Sequence, residues 1–134
     1  MSWFFFRTKR RVVRRVRRRT LAGRRALFEK HRESVRAFAH DRLAHFNQFY
    51  NLTYARVAIR NQRTRWGSCS QKGNLNFHYK IALLPEHLRD YVIVHELCHL
   101  AQMNHSAKFW QLVAQTIPNH TLARKELRAV SLLE

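Results

Sequence analysis

Cysteine, glycine and proline are scarce in this chain of 134 residues, which holds two, three and two of them respectively. Two cysteines exclude a multi-bridge disulfide scaffold. The chain has no Gly/Ser-rich linker and no internal repeat, which excludes flexible arrays and solenoids. No run approaches the ~18 uninterrupted apolar residues of a membrane span. Acidic residues are also few, with 8 Asp and Glu against 26 Lys and Arg, a formal net charge of +18. What is present is apolar enough to fold: 46% hydrophobic and 12% aromatic residues exclude a wholly disordered basic tail. The length fits one compact domain with an appendage.

The positive charge is concentrated. Residues 1–25 carry eleven basic side chains and no acid, residues 26–44 four basic and three acidic, and residues 45–134 eleven basic and five acidic. This divides the chain into an arginine-rich N-terminal arm, 1–25, and a moderately basic domain, 26–134. An arm of this composition favours polyanions through counterion release, so nucleic acid or ribosome contact through residues 7–25 is expected to be sequence-tolerant and salt-sensitive. The opening Trp3-Phe4-Phe5-Phe6 adds a membrane surface as a further option. Four apolar residues followed by charge do not resemble a secretory signal, so the expected location is the reducing cytoplasm, with no disulfide.

Apolar residues at steps of three, four and seven predict a helix from Arg24 to Tyr50, with Asn51 as its stop. Strands are expected over Thr53–Arg60, Arg63–Cys69 and near Asn74–Phe77, the last two joined by a Ser70–Gly73 turn. Pro85 marks a helix start, followed by Glu86 and Asp90 where the helix dipole favours negative charge. That helix should run to about Asn104. Ser106 caps another, carrying Phe109, Trp110, Val113 and Ile117, and Thr121–Leu133 forms the last. The expectation is an α+β domain, a small antiparallel sheet of about three strands packed on the central helix.

Within that central helix lies His95-Glu96-Leu97-Cys98-His99. Positions four apart on a helix are separated by only about 40° around its axis, so both imidazoles can reach one metal ion. Glu96 projects beside that ion, where a carboxylate can take a proton from activated water and deliver it to a leaving group. His105 follows His99 by six residues, the spacing of the third ligand in the longer metzincin pattern, with Gln102 at its glycine position. Bringing His105 back requires a tight reversal, with Asn104 as the expected left-handed residue. Cys98 is offset from His99 by about 100° and faces the core. Cys69 is either a core residue or a thiol near the metal. His31, His40, His45, His87 and His120 lack ligand spacing and read as surface or cap residues.

Thr64-Arg65-Trp66-Gly67-Ser68-Cys69-Ser70, the Gly73-x-Leu75-Asn76 turn, Leu84-Pro85, the stretch Asp90–His99, and Asn104-His105-Ser106-x-x-Phe109-Trp110 together resemble the YgjP-like metallopeptidases. These are zincin-type proteins related to the SprT-like and WLM-type proteases. The likeness covers roughly residues 50–117. It implies a zincin-like fold, one Zn²⁺ held by His95, His99 and His105, and Glu96 as general base for water attacking a peptide bond. The N-terminus departs from the family, whose members carry a longer strand-rich segment there.

Zincins pair an extended substrate with a strand above the cleft, and either Arg65–Cys69 or Asn74–Phe77 can supply it. Gly67 would then permit close backbone approach, and Asn76 lies on the neighbouring strand. Arg65, His78 and Tyr79 are candidates to stabilise the developing oxyanion. The leading expectation is a zinc peptidase acting on peptides or proteins. One alternative is a zinc-dependent nucleotide or phosphate-ester hydrolase using Arg56, Arg60, Arg63 and Arg65. Another is a nucleic-acid-binding module with structural zinc, against which stands the lack of a fourth protein ligand. Oligomeric state is not legible in the sequence.

Overall fold

The computed structural model describes residues 2–3 and 21–132. Phe4–Phe6 and the arm's basic residues from Arg7 to Arg19 lie outside the described residues, and so do the polyanion and membrane readings made on them. The described chain runs β1 (Ser2–Trp3), α1 (Leu21–Tyr50), β2 (Arg56–Arg60), β3 (Gly67–Cys69), β4 (Asn74–His78), a 3-10 turn (Tyr79–Leu83), α2 (Glu86–His99), α3 (Ala107–Thr116) and α4 (His120–Ala129). This is the expected α+β class. Among the described residues no helix is long and apolar enough to cross a membrane.

The long helix α1 starts at Leu21, three residues ahead of expectation, and buries a single stripe of Val35, Ala39, Leu43 and Phe46. Steps of four, four and three keep that stripe on one face. Asn51 ends it in the left-handed region at φ 51°, a conformation asparagine tolerates. The Asn47 side chain then fixes the exit, donating to the Leu52 carbonyl at 2.7 Å and accepting from the Leu52 amide at 2.8 Å.

The sheet order is β1-β3-β4-β2, and it corrects the expectation of a wholly antiparallel sheet. β3 and β4 form the expected antiparallel hairpin, with Gly67 opposite Phe77. Its turn closes on Gly73, whose φ of +80° suits glycine. β2, however, runs parallel to β4, with Val57 opposite Leu75 and Ile59 opposite Phe77. Residues 61–66 carry the chain past the position later taken by β4, so β4 returns between β3 and β2 and meets β2 head to head. β4 therefore has both edges paired, while β3 meets Ser2–Trp3 on its outer edge.

α2 begins after Pro85 and packs between the sheet and the other helices, with eleven of its fourteen residues buried. α1 is tied to it by a two-pronged ion pair, Arg42 Nε and Nη2 donating to the Asp90 carboxylate at 3.0 and 2.9 Å. α3 is capped as expected by Ser106, whose hydroxyl accepts from the Phe109 amide at 3.4 Å. Tyr50, in the last turn of α1, donates to the Leu112 carbonyl of α3 at 2.6 Å.

Candidate active site

α2 ends at His99, five residues short of the expected Asn104. The correction has a local cause. The amides of Leu100 and Ala101 reach back only three residues, to Leu97 and Cys98, each at 3.1 Å, tightening the last turn until it stops. Asn104 does not take the expected left-handed conformation, since Asn51 is the one described non-glycine residue with positive φ. The reversal is held instead by His99, whose Nδ1 lies 2.9 Å from the Gln102 carbonyl. That contact requires Nδ1 to carry the proton, which leaves Nε2 as a lone pair.

The reversal brings three rings together. Nε2 of His95 and of His99 lie 3.0 Å apart, and Nε2 of His105 is 3.1 Å from each. The point equidistant from three such atoms is about 1.8 Å from each, close to the ~2.0–2.1 Å of a metal–imidazole bond. Burial lowers the pKa of all three rings, that of His99 to about 4 and that of His95 well below its usual value, so they are neutral as ligands must be. Three imidazole lone pairs aimed at one point fit a divalent cation. Phe109 stacks on His99 at 4.3 Å and Trp110 on His105 at 5.8 Å, fixing the ring planes from α3.

Glu96 is fully buried beside this triad, and among the described residues neither carboxylate oxygen has a hydrogen-bond partner. Burial raises its pKa well above the carboxylate range, opposed by the positive charge of Arg65. Gly67 of β3 makes room for it. A Cβ at position 67 would stand 2.8 Å from Glu96 Cγ and 3.2 Å from the Asn76 carbonyl. The glycine thus serves the approach of the glutamate from α2, a closer neighbour than the substrate backbone expected from sequence.

The other expected contact residues divide. Arg65 sits next to Glu96 electrostatically, and Asn76 donates to Ser68 on β3 at 3.1 Å. His78 instead caps the 3-10 turn, its Nδ1 accepting from the Lys80 amide at 3.1 Å, with its ring stacked on Tyr79 at 4.9 Å. Tyr79 packs edge-on against Phe28 of α1 at 5.8 Å. Cys69 and Cys98 are buried free thiols, each pushed up to about 12 by burial. Of the two strands offered for substrate pairing, β4 has no open edge. Sequence reasoning missed the neighbours of His105: Trp110 is also stacked on His120 at 5.1 Å, and Arg124 lies over the same indole. The one available signal was the four-residue spacing of His120 and Arg124 on a single helical face.

Comparison with known proteins adds three findings. A search of curated proteins returns no match. The crystal structure of the metallopeptidase zymogen of Pyrococcus abyssi abylysin aligns with a TM-score of 0.62 and 24% identity, covering 68% of this chain and 92% of that one. At that identity the likeness shows a shared fold. The family described as YgjP-like, metallopeptidase domain, matches residues 5–130, extending well beyond the motif region and across most of the arm. Nearly the whole chain is covered by that match, and the protein belongs to the YgjP-like metallopeptidase-domain family.

Proposed function

We propose that the chain is a zinc-dependent peptidase whose site is His95, His99, His105 and Glu96. Membership of a metallopeptidase family supports a metal-dependent hydrolase of peptides or proteins. The observation that carries the finer reading is the convergence of three neutral Nε2 atoms within 3.1 Å beside a buried carboxylate. Three histidine ligands are the number of a catalytic zinc site rather than a closed structural one. Zinc bound there supplies a Lewis acid that makes water nucleophilic near neutral pH and polarises a carbonyl.

Glu96 takes the proton from the attacking water and returns it to the leaving nitrogen. Its raised pKa suits that exchange, because a strongly acidic carboxylate would hold protons too weakly. Gly67 and the wall of β3 keep it at that position. Arg65 supplies a cation on the β3 side, where it can meet the charge that develops on the carbonyl oxygen. An extended substrate adds to the outer edge of β3 by taking the place of Ser2 and Trp3, which pair there with Cys69 and Ser68. The arginine-rich arm holds the enzyme near nucleic acid or ribosomes, in the reducing cytoplasm that suits two free thiols.

The test pairs metal analysis with turnover. Purified protein should contain about one zinc per chain, and Glu96→Gln should retain it while casein cleavage falls by at least about 10³-fold. Unchanged cleavage in that variant would sink the assignment. Nucleotide hydrolysis lost in the same variant would redirect it to phosphate esters. Neutralising Arg7–Arg19 should abolish salt-sensitive DNA or RNA binding while leaving cleavage of a short peptide intact; retained binding would remove the arm from the proposal.

A further inference from the structure

His95, His99 and Glu96 are fully buried, whereas His105 is exposed. The triad therefore opens to solvent on its His105 side. On that side the chain places a cation. His120 and Arg124, four residues apart on α4, share the face that covers Trp110 of α3. The His120 ring stacks on the indole at 5.1 Å, and the Arg124 guanidinium carbon lies 5.3 Å from its centroid. Trp110 in turn stacks on His105 with an angle of 22° between the rings. One aromatic ring separates the guanidinium from the metal-site histidine.

Arg124 is exposed, and among the described residues no carboxylate forms a salt bridge with it. A guanidinium held over an indole leaves donors available to bind a carboxylate with two hydrogen bonds.

We infer that Arg124 is a specificity-determining residue that selects peptides carrying a carboxylate next to the bond to be cleaved. This rests on the peptidase reading above. The carboxylate can be an acidic side chain or a free C-terminus, and both present the same fork to the arginine. Lys125 is the internal contrast, because it is equally exposed and equally charged but turned about 100° around the helix from Arg124.

The experiment uses three quenched peptides of one sequence. The first carries Glu on both sides of the scissile region, the second Lys, and the third Gln with a free C-terminal carboxylate beside it; the first two end in amides. Wild type should favour the Glu peptide over the Lys peptide in kcat/KM by about tenfold or more. Arg124→Glu should invert that order, and Arg124→Lys should keep it at reduced size. Lys125→Glu makes the same change in net charge and should leave the ratio within roughly twofold. The third peptide separates the sources: a gain equal to that of Glu assigns the C-terminus as an accepted carboxylate, and none restricts the site to side chains. The same ratios are read as Kd in Glu96→Gln protein, so absence of turnover in the wild type would count against the peptidase reading while binding still decides the role of Arg124. An unaltered ratio in Arg124→Glu, an equal shift in Lys125→Glu, or loss of metal from Arg124→Glu would each overturn the inference.

Discussion

α1 and α2 pack against each other, yet they are opposite kinds of helix. α1 has thirty residues and buries four, while α2 has fourteen and buries eleven. α1 is held by one apolar stripe and the Arg42–Asp90 fork, and the rest of its surface carries solvated charge such as Arg36 against Glu33. α2 has no solvated face along its second half, so a histidine pair and a glutamate there are surrounded by protein. Burial lowers the pKa of the histidines and raises that of the glutamate, the two shifts on which the proposed chemistry draws. Among the described residues the solvated charge of α1 belongs to the exposed kind of surface, and the proposed chemistry to the buried kind.

That contrast can be broken at its most crowded point. Gly67→Ala puts a methyl group 2.8 Å from Glu96 Cγ. The carboxylate must shift, and activity should fall by about 10²-fold, the cost of a misplacement near 1 Å. Metal content should be unchanged; full activity in this variant would mean that β3 does not position Glu96.

The next largest effect lies where the two helices meet. Asp90 is 9% exposed and its carboxylate takes both prongs of Arg42. Arg42→Ala strands that charge and should cost about 3 kcal/mol in urea unfolding. Arg42→Met with Asp90→Asn should recover much of it, and equal losses in the single and double variants would refute the account.

His78 tests whether burial alone depresses a histidine away from the metal. Burial, aided by the Lys80 charge, lowers its pKa to about 4. The unfolded chain binds a proton near pH 6.5 and the folded one does not until about pH 4, so stability should decline as pH falls through that window. The decline amounts to as much as about 3 kcal/mol. His78→Gln should remove that part of the slope between melts at pH 7 and 5, and an identical slope would contradict it. At the far end of the scale, Arg36→Ala removes an exposed 3.1 Å pair to Glu33 and should change stability by less than about 0.5 kcal/mol. A larger loss would show that α1 is less solvated than its exposure indicates.

The parts of the structure that were legible in sequence are those set by spacing along one element. The four-residue step from His95 to His99 and the stripe of α1 follow from helical geometry alone. So do Pro85 at the start of α2, Ser106 as a cap and Asn51 as a stop. The parallel pairing of β2 with β4 was not legible, because it depends on where residues 61–66 lead the chain rather than on any strand's own pattern. His78 shows a different limit. A histidine beside a strand end looks like a contact residue until the Lys80 amide is seen to occupy its lone pair. The spacing of His120 and Arg124 places both on one face of α4, but that this face meets Trp110 depends on the packing of α3 against α4, which no local signal encodes.

His95 and His99 sit in a stretch, Asp90–His99, with no exposed residue, and His105 in an exposed one, Asn104–Ser106. In hydrogen-exchange terms the site straddles two regimes. Amides from Tyr91 to Leu97 should exchange only when the whole molecule opens, while those around His105 should exchange through local opening. For the proposed metal centre, stripping and reloading should therefore follow local opening of the His105 segment, and not the unfolding rate of the domain that holds the other two histidines.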